Sequence, residues 1–192
     1  MATVREGERS ALLVVDVQVG VMKEAWEAPR VVRQIARAVE RARAAGVPVV
    51  WVQHVNDEMP AGSAPWRWVP ELVPAPGEPL VGKHFNSAFE QTALEAELAT
   101  LSTTHLVLAG AESSWCIRAT AYAALERGYD LTLVKDAHTT VPMALADGRR
   151  IEPAQVVDEL NIAMTWLRYP GRRNATATAE EVDFGGAAGA AR

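Results

Sequence analysis

The sequence lacks the features that membranes, disulfide frameworks and nucleic acids require. No apolar run approaches the roughly 18–20 residues of a membrane helix. Met1 to Arg9 is polar and has no apolar centre of the kind a signal peptide carries. A single cysteine, Cys116, excludes an internal disulfide and a four-thiolate metal centre within one chain. The 19 basic residues are scattered rather than gathered into a stripe, and the net charge is −5. Neutralising phosphates takes clustered Lys and Arg, so nucleic-acid binding is disfavoured. From these absences we expect a soluble, cytoplasmic protein with no nucleic-acid or membrane partner.

What is present is enough for one domain. The chain has 192 residues, 49% of them hydrophobic and 22% charged. A domain of this size hides about 70% of its extended-chain surface and needs no disulfide or metal to fold. We expect a single domain over residues 1–184, followed by a flexible Gly/Ala-rich tail over 185–192. The acidic balance tolerates a cationic substrate.

Apolar runs alternate with helical stripes, the pattern of a parallel sheet wrapped by helices. Ala11 to Val15 is continuously apolar and ends on Asp16, as expected of a strand buried on both faces. A helix opens near Pro29, with Val31, Ile35, Val39 and Ala42 on one face, and Gly46 caps it. Strands follow at Val47–Val52, Leu80–Gly82, His105–Ala109 and Leu131–Val134, with helices at Ala93–Leu101, Ser113–Arg127 and Pro153–Leu167. The segment Val55 to Pro79 holds six prolines and shows no period; a loop this long in a small domain is usually functional.

In parallel α/β sheets, sites form beyond the carboxyl ends of the strands. Asp16, Lys83 and Cys116 all fall there, and right-handed crossovers bring them to one rim. A thiol in the first turn of a helix meets the positive end of its dipole, which with a nearby ammonium favours thiolate. A carboxylate at the end of an apolar strand is partly desolvated and suits a base. Spacing leaves the bland alternatives open: a small buried hydrophobe at Cys116, a loop cap at Asp16, a solvated charge at Lys83. Gly77 to Lys83 also matches the start of a phosphate-binding loop, but His84 stands where Ser or Thr is needed and Pro79 lacks an N–H.

Three blocks resemble the isochorismatase-like cysteine hydrolases: Asp16-Val17-Gln18, Gly82-Lys83-His84-Phe85-Asn86-Ser87-Ala88-Phe89, and Ala109 to Ala121 around Ser114-Trp115-Cys116-Ile117-Arg118. Gly128-Tyr129 and Asp136-Ala137 fit as well, so the resemblance runs from about Ser10 to Phe184. Nicotinamidases, N-carbamoylsarcosine amidase and streptothricin hydrolase are members. The resemblance implies a three-layer α/β fold with a six-stranded parallel sheet and helices on both faces, in homodimers or homotetramers. It implies a catalytic triad of Asp16 as base, Lys83 as orienting cation and Cys116 as nucleophile. It also implies a cis peptide at Ala111–Glu112, with the N–H groups of Glu112 and Cys116 forming the oxyanion hole.

The presence of Cys116 favours acyl transfer at an amide-type C–N bond over vinyl-ether cleavage. Ester or vinyl-ether hydrolysis and a catalytically silent oligomeric binding module are the alternatives. The chemistry needs no cofactor. Nicotinamidases of the family hold a metal through an Asp-x-His pair, whereas His54 and Asp57 stand here in the wrong order and spacing, so no metal is expected. Candidate substrate contacts are Gln18, Trp66, Trp68, His84, Trp115 and His138, since ligand pockets commonly combine aromatic walls with a few polar groups. His105, at the start of a strand, is expected to be structural.

Overall fold

Alternate residues of the central strands serve two separate cores. This computed structural model describes residues 9–184, so the expected tail at 185–192 lies outside the described residues. Strand β1 (Arg9–Val15) runs between β2 (Val49–His54) and β4 (Thr103–Ala111), parallel to both. Leu12 and Val14 of β1 face one core with Val49, Trp51, Val107 and Ala109. Leu13 and Val15 face the other with Val50, Val52, Leu106 and Leu108. Being apolar on both faces is what a sheet covered on both sides demands.

A short α1 (Val19–Met22) and the long α2 (Ala28–Ala44) lie on the first side. Val31, Val32, Ile35, Ala38, Val39 and Ala42 of α2 are buried there, the i, i+3, i+4, i+7 stripe of an amphipathic helix. The edge strand β3 (Leu80–Lys83) pairs with β2. On the other side lie α3 (Leu94–Thr100), α4 (Arg118–Glu126) and α5 (Pro153–Trp166). Strand β5 (Asp130–Thr139) follows α4, a hairpin of β6 (Met143–Ala144) and β7 (Arg150–Ile151) precedes α5, and β8 (Asn174–Ala177) closes the sheet. The sheet order is β3-β2-β1-β4-β5-β8, six strands and all parallel.

Several local expectations need correction. The segment expected as one helix from Ser113 to Arg127 is two: a π-helical turn, Ser113–Ile117, and then α4. Strand β5 reaches Thr139, so His138 lies inside the sheet, opposite Gly110, rather than beyond a strand end. Leu80–Lys83 is extended, so the phosphate-loop match has no loop to form. Among the described residues, no helix is long and apolar enough to cross a membrane.

Candidate active site

The carboxyl ends of β1, β3 and β4 deliver three side chains to one point. Asp16 follows β1 in a left-handed conformation, φ 53°, which non-glycine residues adopt only where the surroundings over-determine them. Lys83 ends β3, two strands from β1, and its length lets it reach back across β2. Cys116 lies in the π-helical turn after β4, whose start is fixed by the Glu112 carbonyl accepting the N–H groups of Trp115 and Ile117 at 3.1 and 3.0 Å. The Ala111–Glu112 peptide bond is cis.

Lys83 Nζ stands 2.6 Å from Asp16 Oδ2 and within donating reach of Cys116 Sγ, at 3.2 Å. It also donates to the Phe85 carbonyl at 3.2 Å and lies 3.1 Å from His54 Nδ1. Lys83 and Asp16 are almost wholly buried, and Cys116 is 9% exposed. A buried ammonium is tolerated only when paired and hydrogen-bonded, and this one is.

Electrostatics here departs from the expectation of a ready thiolate. Burial pushes the Cys116 thiol up to about 12, and the charge of Asp16 adds to this while Lys83 opposes it. Asp16 also titrates above the ordinary carboxylate range, because burial outweighs the charge and hydrogen bond of Lys83. Asp16 Oδ1 has no well-aligned hydrogen-bond partner, and the Cys116 thiol, which lowers the carboxyl's pKa by hydrogen bonding, is a loosely aligned donor, as is common before a substrate binds. Burial thus disposes both groups to hold a proton.

The remaining candidates fall into two groups. Trp115, 51% exposed, and the exposed His84 are at the surface, next in sequence to Cys116 and Lys83, with His84 donating Nδ1–H to the Val55 carbonyl. Gln18 and His138 are buried and already committed. Gln18 Nε2 donates to the carbonyls of His54 and Trp66, and its Oε1 accepts the His54 N–H. Asn161 Nδ2 donates to the Lys135 carbonyl, which turns its Oδ1 to His138 Nε2; His138 Nδ1 then accepts from Ser113 Oγ at 2.7 Å. His138 thus ties β5 to the turn carrying Cys116. Trp68 packs edge-to-face on the buried Trp51, and the Trp66 carbonyl also accepts from Gln53. His105 bridges Ser10 and Thr132 across β1, β4 and β5, a structural role.

Sequence reasoning put His54 at the rim but not against Lys83, which it contacts. It did not pick out the half-buried Glu112 carboxyl, which is raised by burial and then by the charge of Asp16. The alternation of β2 and its register with β3 could have pointed to His54; no comparable signal existed for the Glu112 side chain. Among the described residues, no group of three or more His, Cys, Asp and Glu side chains is placed to hold a metal ion.

Known proteins resemble this arrangement in sequence and in fold. Residues 10–150 match the isochorismatase domain. A streptothricin hydrolase from Streptomyces noursei is 40% identical over 147 residues, 72% of this chain and 57% of that protein. The ureidoacrylate amidohydrolase RutB from Methylobacterium radiotolerans is 30% identical, over 60% of this chain and 57% of its own length. The chain therefore spans only a little over half of these relatives. The crystal structure of an isochorismatase from Pseudomonas putida KT2440 superposes with a TM-score of 0.79 at 25% identity, covering 92% of this chain and 93% of that one. With the domain matched over residues 10–150 and the fold shared over 92% of the chain, this chain belongs to the isochorismatase family of hydrolases.

Proposed function

We propose that the protein is a cysteine-dependent hydrolase that cleaves an amide-type C–N bond, in an amide, lactam or ureido group of a small molecule. The observation that carries this reading is the Lys83 ammonium, 2.6 Å from a buried carboxylate and 3.2 Å from the one thiol in the chain.

Asp16 takes the proton of Cys116 as the sulfur attacks the carbonyl carbon. Its raised proton affinity fits this role. The charge that leaves the carboxylate arrives on a sulfur that Lys83 already touches, so the ammonium stabilises both ends of the transfer. The backbone N–H groups of Glu112 and Cys116 receive the developing oxyanion, each donor being worth very roughly 3–4 kcal/mol. As the C–N bond breaks, Asp16 passes its proton to the leaving nitrogen, and a thioester remains on Cys116. Water, activated by Asp16, then releases the acid and restores the thiol. Trp115 and His84, exposed and next in sequence to Cys116 and Lys83, are the candidate contacts left to meet the substrate. The streptothricin hydrolase and ureidoacrylate amidohydrolase among the relatives support a C–N bond as the target.

The test is a panel of amides, lactams, ureido acids and matched esters, read by release of amine, ammonia or alcohol. Amine or ammonia from a C–N substrate, lost in Cys116→Ala, is the expected result. Turnover confined to the esters, or retained without the sulfur, would overturn the reading.

A further inference from the structure

The chemistry above has no use for His54, yet His54 touches its cation. His54 and Lys83 are register partners on the parallel strands β2 and β3, so their side chains leave the same face of the sheet. His54 Nδ1 lies 3.1 Å from Lys83 Nζ. The position is built. The wholly buried amide of Gln18 accepts the His54 N–H at 2.8 Å and donates to the His54 carbonyl at 2.9 Å.

An ammonium has three hydrogens to give. Four acceptors surround Lys83 Nζ: Asp16 Oδ2 at 2.6 Å, His54 Nδ1 at 3.1 Å, the Phe85 carbonyl at 3.2 Å and Cys116 Sγ at 3.2 Å. The carboxylate, charged and nearest, holds one hydrogen, and the backbone carbonyl holds a second. The imidazole nitrogen and the sulfur compete for the third. A neutral thiol is a weak acceptor and a thiolate a strong one. Burial, with the charges of Lys83 and His84, lowers the His54 pKa to about 4, so at neutral pH its Nδ1 lone pair is free to accept.

We infer that His54 is a positioning residue that takes the third Lys83 hydrogen while Cys116 is a thiol and yields it to sulfur when Cys116 ionises. In that step the S–H bond breaks and its proton bonds to Asp16. The negative charge passes from carboxylate to sulfur, and an N–H···S⁻ contact replaces N–H···Nδ1. The charged and titratable groups facing the exchange are Asp16, Lys83, Cys116 and His84, with Glu112 within the field of Asp16. His54 thereby stabilises the resting thiol. Remove its acceptor, and the sulfur becomes the sole claimant of a buried N–H.

The inference rests on the reading of Cys116 and Lys83 under the proposed function, but its test needs no substrate. The rate at which iodoacetamide alkylates Cys116, the chain's single thiol, reports the thiolate fraction as a function of pH. His54→Phe fills the space without an acceptor, and His54→Asn returns an amide oxygen near the lost nitrogen. We expect His54→Phe to lower the midpoint of the profile by on the order of one pH unit, alkylating about tenfold faster below it. We expect His54→Asn to stay within about threefold of wild type. A midpoint unchanged or raised in folded His54→Phe overturns the inference, and so does an Asn variant that behaves like Phe. His54→Leu, also without an acceptor, carries the same expectation should the aromatic variant fail to fold. A protein that shows the predicted midpoints but hydrolyses no C–N substrate sinks the amide reading alone.

Discussion

Gly110 of β4 lies so close to Val15 of β1 that a Cβ there would stand 2.0 Å from the Val15 carbonyl oxygen and 2.8 Å from its nitrogen. Its φ of +130° is also one that L side chains rarely adopt. The two residues precede Asp16 and Ala111, so the closeness of these backbones sets the spacing between the base and the turn that bears the nucleophile. Gly110→Ala should destabilise the fold by about 3 kcal/mol or more. That corresponds to a fall in Tm on the order of 6–12 °C. A thermal melt within 2–3 °C of wild type, roughly the effect of 1 kcal/mol, would show that the strands can part without cost.

The buried pair of Asp16 and Lys83 should behave as one unit. Removing either partner strands a charge with 2% or less of its side chain exposed. Lys83→Met or Asp16→Asn alone should therefore cost about 3–5 kcal/mol. The double variant should cost less than the sum, because nothing is then left unpaired. Urea denaturation of the four proteins closes the cycle, and strict additivity would contradict the pairing. All three variants should be inactive.

Glu78 should anchor the end of the proline-rich segment in a pH-dependent way. Its carboxylate accepts from Arg43 twice, at 2.8 and 2.9 Å, from Trp51 Nε1 at 2.6 Å and from the Ala75 N–H at 2.8 Å. Burial alone would raise its pKa, but these donors outweigh it and the net shift is downward. A carboxyl depressed by folding contributes stability above its unfolded pKa, and loses it as pH falls through the folded one. Wild type should therefore weaken as pH drops below about 4.5, whereas Glu78→Gln should lose about 1–3 kcal/mol at pH 7 and show a shallower acid limb. Parallel limbs in the two proteins would contradict this.

His138 should add a second acid dependence at higher pH. Burial holds it neutral and lowers its pKa to about 4. Below about pH 6.5 the unfolded chain binds a proton that the folded chain refuses, so stability falls between pH 6.5 and 4 by up to roughly 3 kcal/mol. His54 and His105, also lowered, act in the same direction. His138→Gln should reduce the slope by one proton, read from chemical-denaturation midpoints across that range. An unchanged slope would show that His138 is charged in the folded state.

The fold was legible in the sequence wherever one force dominates. A run such as Ala11–Val15 has no polar face to offer, so it can only be a strand covered on both sides, and four such runs with helical stripes between them imply the sheet. The candidate site was legible at the level of strand ends, because Asp16, Lys83 and Cys116 interrupt apolar segments. What escaped depended on geometry that spacing does not encode. The π-helical turn arises from the Glu112 carbonyl accepting the N–H of Ile117, and its composition reads like ordinary helix. Strand β5 runs through Lys135 and Asp136 to Thr139 because pairing with Gly110 and Ala111 outweighs local polarity. The protonation of Cys116 was misjudged because burial depends on tertiary packing, whereas helix position is read directly from the chain.

The Trp66 carbonyl, gripped by the amides of Gln18 and Gln53, has a consequence for how the segment around it can move. Neighbouring backbone bonds join the same seam, from Val19 to Arg67, Gly20 to Pro65 and Val69 to Val17. The proline-rich stretch is stitched to the sheet and cannot swing as a flap without tearing several of these threads together.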